Sequence, residues 1–422
     1  MNTKMIKVSL FASAAFCGLM AGAVEDRPVG IRIGNRMTLK PYIALSGAYD
    51  TNVDGRRDGA EDFVWTVNPG LGLEYKSESW LLSADAWYQY NGLAKGDSDY
   101  QKEYQSYGED LTFRWTDALP DEAGWAVMLS EKYQMVNDLA DFQGGNLYHY
   151  NRDRQEFKGA LAIQRRFGRG WHADLNGSYY WLDYDTGNKQ NSSLGLYGWE
   201  RWLVGGEVGY AASKWTDILI AGSYQGYDQD NRNNNYYYNQ GYSRESGSKG
   251  VTLQGGIGSF ATDRITYRVL GGWSRYKMNS TDKTSNGFTY TVSGNWAISD
   301  TWKTMILANS YYQPNEREYA CSTRVDELSW GIAHAMVENK LNATFDLAYR
   351  REGREMEGVA SYDYDTDVFN FRLGLTYIVN QYLQLFGNAE FRKSINETEE
   401  SANGEIYDYD RFRLSLGLRF TY

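Results

Sequence analysis

Cysteine is nearly absent from this chain: there are two in 422 residues, and Cys17 sits in the first apolar stretch, leaving Cys321 alone. A lone thiol closes no intramolecular disulfide and builds no cysteine metal cluster. Histidine is almost as scarce. His149, His172 and His334 are scattered, which argues against zinc chemistry, and no cofactor is implied. Proline numbers only 5, no apolar run is long enough for a helical membrane span, and mean hydropathy is −0.61. A net charge of −11 argues against nucleic-acid partners. No motif recurs at a fixed period, which excludes propellers and β-helices.

What remains is unusual: 36 Tyr, 14 Trp and 44 Gly, with aromatics at 16%. Tyr and Trp suit membrane interfaces, and Gly suits crowded barrel positions. The stretch Tyr409 to Tyr422 alternates strictly: Phe412, Leu414, Leu416, Leu418, Phe420 and Tyr422 share one face, and Arg411, Arg413, Ser415, Gly417 and Arg419 the other. A period of two means a strand. Large apolar groups on one side and arginines on the other fit a strand between lipid and a wet lumen.

The same pattern recurs along the chain. Phe63, Trp65, Val67, Leu71, Leu73 and Tyr75 form one apolar face, and Trp80, Leu82, Ala84, Ala86, Tyr88 and Tyr90 the next. Phe369 to Tyr377 and Leu383 to Phe391 form a late pair. Short turns at 76–79, 168–170, 262–264, 299–301, 338–340 and 379–381 alternate with long polar loops at 50–62, 137–152, 228–248, 313–324, 351–362 and 393–407. The expected fold is therefore all-β: a transmembrane antiparallel up-and-down β-barrel of about 18 strands, short turns in the periplasm and long loops outside. Sixteen strands is the alternative, because strand and loop do not separate over 188–211.

Lys4 and Lys7, an apolar stretch from Val8 to Met20 and Ala21-Gly22-Ala23 read as a secretory signal peptide. Phe16 before Cys17 does not fit a lipobox, which needs a small residue there. The expected organisation is a signal peptide over 1–23, a periplasmic segment over 24–36 and a barrel over 37–422.

With apolar faces toward lipid, the opposite residues line the lumen. The expected pore-lining set is Glu74, Asp85, Lys132, Arg268, Asp346, Arg372, Glu390, Arg392, Arg411, Arg413 and Arg419, with Lys158, Asp174, Glu207 and Arg350 on the same face. Arginines gather on the last strands, while Glu74 and Asp85 lie just past the closing seam. That distribution gives either a transverse field that selects solutes by charge or ladders of mutually satisfied ion pairs. Asp228, Asp230, Tyr236, Tyr237 and Tyr238 lie in a loop whose amides, carboxylates and rings suit glycan contact, or equally an upper aromatic girdle. Asp363, Asp365 and Asp367 alternate like calcium ligands but lack the glycine and terminal Glu of that loop. His149 is the one candidate for rim catalysis, and no base, nucleophile and orienter accompany it, so no enzyme is expected.

Leu39-Lys-Pro41 leads into a strand ending Tyr49-Asp50-Thr51-Asn52-Val53. This resembles the β-barrel porin 2 type of outer-membrane proteins, whose first strand commonly ends Tyr-Asp-Ser/Asp-Asn. The resemblance implies a porin-like channel for small hydrophilic solutes, with saccharide or exopolysaccharide export in view. The alternative is a structural or surface-interaction barrel with a closed lumen and loops that bind a partner or glycan. Phe420 and Tyr422 resemble the terminal aromatic signal read by the barrel-assembly machinery. Expected partners are that machinery, outer-membrane lipids and saccharides.

Overall fold

The computed structural model describes residues 30–53, 60–95, 103–117, 123–138, 152–167, 170–184, 198–229, 247–259, 264–279, 284–314, 322–337, 340–355, 364–396 and 409–422. They form one antiparallel sheet in chain order. Its first half is β1 (Ile31–Ile33), β2 (Met37–Asp50), β3 (Asp62–Lys76), β4 (Trp80–Leu93), β5 (Glu103–Thr116), β6 (Gly124–Asp138), β7 (Arg152–Arg166), β8 (Trp171–Tyr184) and β9 (Trp199–Ala211). The second half is β10 (Asp217–Gln229), β11 (Ser248–Ser259), β12 (Ile265–Met278), β13 (Thr284–Ala297), β14 (Trp302–Pro314), β15 (Ser322–Val337), β16 (Leu341–Glu355), β17 (Tyr364–Ile378), β18 (Leu383–Asn396) and β19 (Tyr409–Thr421).

Each strand from β2 to β19 pairs with the next, and β19 pairs with β2 from Thr421↔Tyr42 to Arg413↔Asp50. The result is a closed 18-stranded barrel. Strands of 12 to 16 residues are roughly 40–50 Å long, enough to cross a ~30 Å hydrocarbon layer when tilted. The region 188–211 resolves into β9, which pairs with β8 through Asp174↔Glu207 and with β10 through Ala221↔Glu207. β1 falls within the segment expected to be merely periplasmic. It pairs with β2 at Ile31↔Leu39 and so continues the edge that β19 leaves at Tyr42.

The outer face is apolar because alternate positions meet lipid. Leu416 is 68% exposed, Ile220 62% and Leu253 62%, exposures that a water-soluble sheet would not tolerate in such numbers. A closed barrel with this exterior is an outer-membrane protein. Aromatic contacts mark both rims of the band. Trp65–Tyr90 and Trp202–Tyr224 lie on the loop side, each with centroids 5.1 Å apart. Tyr75–Trp80 (4.5 Å), Trp171–Tyr210 (4.8 Å) and Trp302–His334 (3.9 Å) lie on the turn side. Near mid-strand, Glu109 and Glu131 depart from the expected segregation of charge. They share the outer face of β5 and β6, opposite Tyr133 and Leu111 respectively. Glu on a lipid face costs less than Arg or Lys, which there cost ~2–4 kcal/mol at the midplane.

Several strands run past the expected loop boundaries. β16 continues to Glu355 and β18 to Asn396, so Arg351 and Lys393 are ladder residues. Two inner-face glycines, on β11 and β12, leave no room for a side chain. A side chain at Gly256 would fall on the Val269 carbonyl, and one at Gly272 on that of Leu253.

Candidate functional site

The most informative departure from a simple barrel is at β14. Its pairing with β13 ends at Tyr290↔Ser310, whereas its pairing with β15 runs on to Pro314↔Ser322. Above Ser310 the strand parts from β13 and folds inward, still paired with β15. Tyr312, on the outer face by alternation from Trp302 and Ile306, is buried against Tyr276 and Met278 from the inner face of β12. Glycine at 287 makes room, since a Cβ there would sit 2.5 Å from the Tyr312 hydroxyl. The Gln225 side chain, on the inner face of β10, donates to the Tyr312 carbonyl at 3.0 Å and accepts from Arg201 of β9 at 3.1 Å. These contacts run across the barrel interior rather than around its wall.

The other side of the inward tip carries charge. Tyr311 donates to Glu327 at 2.9 Å; Arg350 bonds Glu327 at 3.0 Å and Glu352 at 2.7 Å. Glu352 is 2% exposed, and a carboxylate so enclosed requires that guanidinium. Leu219, Leu270, Leu307 and Val325 are buried inner-face residues of β10, β12, β14 and β15. This side of the lumen is filled.

The expected pore-lining residues lie on the face opposite the apolar side chains, and most have partners. Glu74 accepts from Lys40 at 2.7 Å, and Asp85 from the Tyr42 hydroxyl at 3.0 Å. Arg268 bonds Glu207, and Arg372 reaches Glu390 at 3.4 Å. Arg411 holds Asp50 from Nε at 2.9 and 3.1 Å and from a terminal nitrogen at 2.5 Å, while Arg413 Nε stands 3.9 Å away. Arg419 lies over the Tyr42 ring at 3.9 Å. Lys132 stands between Asp110 and Lys158 in register, and Asp346 between Gly331 and Arg372. Arg392 lies 6.0 Å from the Tyr409 ring centroid. Paired ladders therefore account for much of the charge, yet the strands β17 to β19 still present five inner arginines (372, 392, 411, 413, 419) against one inner carboxylate, Glu390.

Tyr49-Asp50-Thr51-Asn52 acts as a clasp across the closing seam. Asp50 is fully buried under Arg411 and accepts the Asn52 backbone N–H at 3.1 Å; Asn52 donates from its side chain to the Asp410 carbonyl at 3.0 Å. Thr51 exchanges bonds with the Phe412 backbone. At the other end of the seam, Tyr422 N–H donates to the Pro41 carbonyl at 2.9 Å, and Phe420 and Tyr422 flank Tyr382 on the outer face. Asp228 ends up on β10, whereas Asp230, Tyr236, Tyr237, Tyr238 and His149 lie outside the described residues, as does everything before residue 30. Sequence reasoning missed the inward turn of β14, because Tyr311-Tyr312 reads like any rim aromatic pair.

No family model matches the chain, and no curated relative does. Among solved structures, it is similar to the outer membrane protein OpdK of Pseudomonas aeruginosa (10% identity, TM-score 0.43, 91% of this chain and 99% of that one). It is also similar to the siderophore receptor PirA of Acinetobacter baumannii (9%, 0.45, 93% and 81%) and to the FrpB iron transporter of Neisseria meningitidis (9%, 0.45, 92% and 82%). None of these names a saccharide, and likenesses of this degree carry no argument about solute.

Proposed function

We propose that the protein is a passive, narrow outer-membrane channel for small hydrophilic solutes, with a preference for anionic ones. The observation that carries this reading is the division of the lumen. The β14 tip and its contacts fill the side of β8 to β15, so the polar route runs along β16 to β19 and on to β2 to β7. The arginine excess of β17 to β19 makes that stretch of the route positive, which concentrates anions where a low-dielectric wall focuses the field. Neighbours named as outer-membrane transport proteins are compatible with this reading without adding weight to it.

A second reading, a closed barrel acting through its loops, is favoured by the Arg201–Gln225–Tyr312 contacts that cross the interior. Planar-bilayer recording of the folded full-length protein separates the two. The channel reading expects small, steady conductance steps and a reversal potential displaced toward chloride in a KCl gradient. Absence of steps from correctly folded barrels would sink it in favour of the closed barrel.

A further inference from the structure

The turn-side end of the lumen wall holds a group that the channel reading does not use. His172 and Asp174 alternate on the inner face of β8, and Glu207 stands directly opposite Asp174 on β9. Donor atoms of the three lie within 4.8 Å of one another. Gly209 is the register partner of His172, and any side chain there would collide with the imidazole, so the wall is recessed to hold the ring flat. Glu207 is 5% exposed and is bonded through Oε2 to Arg268, which reaches it from β12 past Gly258. Asp174 Oδ1 is enclosed without a hydrogen-bond partner. An enclosed carboxylate oxygen lacking a donor is costly, and a cation is what removes that cost.

We propose that His172, Asp174 and Glu207 bind a divalent first-row transition cation such as Zn2+. One imidazole with two carboxylate oxygens is a borderline donor set that suits Zn2+ above Ca2+ or Mg2+, which take oxygen ligands. Metal–ligand bonds of about 2.0–2.2 Å place neighbouring donors roughly 3.4 Å apart, within reach of side-chain rotation from the present spacing. Arg268 then plays the part of an outer partner that orients a ligating carboxylate. Sequence reasoning discounted zinc because the histidines are scattered. The single imidazole suffices here because the β8–β9 register supplies the other two ligands.

The test is calorimetric titration of the refolded full-length barrel with Zn2+, and with Ca2+ as control, on wild type, His172→Ala and Asp174→Asn. Folding of each is checked by circular dichroism and by the gel mobility of unheated samples. The expected result is one Zn2+ per chain in wild type, affinity lowered at least ten-fold in either variant, and no comparable Ca2+ binding. X-ray absorption of the zinc-loaded protein should show one imidazole in a shell otherwise of oxygen. Should His172→Ala fail to fold, Asp174→Asn carries the same comparison. Zinc binding undiminished in a folded variant, or none in wild type, overturns the proposal and leaves His172 as a charge partner for the two carboxylates.

Discussion

The two sides of this lumen obey different rules. Between β8 and β15 the inner face is built like a protein core: Leu219 and Val325 are fully buried, Leu270 is 2% exposed, and backbone and side chains meet across the interior. Along β17 and β18 the inner face at mid-height is built like a surface. Arg372 and Glu390 remain 45% and 30% exposed in a pair of only moderate geometry. A barrel must fill or hydrate its interior, and this one does each on a different side. The filled side contributes rigidity, and the hydrated side keeps the charge available for solutes.

The largest test of that contrast is to place the same charge on each side. Val325→Asp should destabilise the barrel by more than about 3 kcal/mol, because the site is fully buried and its register partner on β16 is the enclosed carboxylate Glu352. Ser415→Asp on the inner face of β19 should shift stability by less than about 1 kcal/mol. Urea titration of both variants in detergent checks this, and equal losses would end the two-sided picture. Next in size is Asp50→Asn, which leaves Arg411 buried without its bidentate partner. A loss of ~3–5 kcal/mol is expected by the same measurement. Arg372→Gln with Arg413→Gln should cost no more than about 1–2 kcal/mol while moving the reversal potential toward potassium. An unchanged potential would mean that ions do not travel along this wall. Smallest is Lys393→Ala. Its 3.7 Å pair with Asp410 lies on the outer face at the loop side, with both partners well exposed, so neither stability nor conductance should respond measurably.

The outer face was legible because lipid imposes a period of two on every strand, and Phe412 to Tyr422 or Phe369 to Tyr377 state that period without ambiguity. Strand ends were not. Beyond the lipid band the ladder continues through residues such as Lys393 and Arg351, whose side chains carry no apolar signal. The inner arrangement was legible only as a list of inward residues. Whether Arg411 finds Asp50 depends on a contact 361 residues apart in sequence, and that spacing carries no local mark. The β14 tip is a further case. Tyr311-Tyr312 has the composition of a membrane rim, and only the end of pairing at Tyr290↔Ser310 redirects it inward. The His172-x-Asp174 alternation was present to be read. Its third member lay on β9, within the stretch where strand and loop had not been separated.

The seam between β19 and β2 behaves as a zip fastened at both ends. At the loop side Asp50, Thr51 and Asn52 hold three consecutive points of β19, and at the turn side Tyr422 is tied to Pro41 while β1 occupies the edge beyond it. Between the fasteners small residues break up the apolar ones: Ser46 stands opposite Gly417, and Gly47 opposite Leu416. A crack driven by thermal motion or by pulling on either terminus therefore has no free end from which to run. It has to open in the middle, against backbone bonds that are broken several at a time.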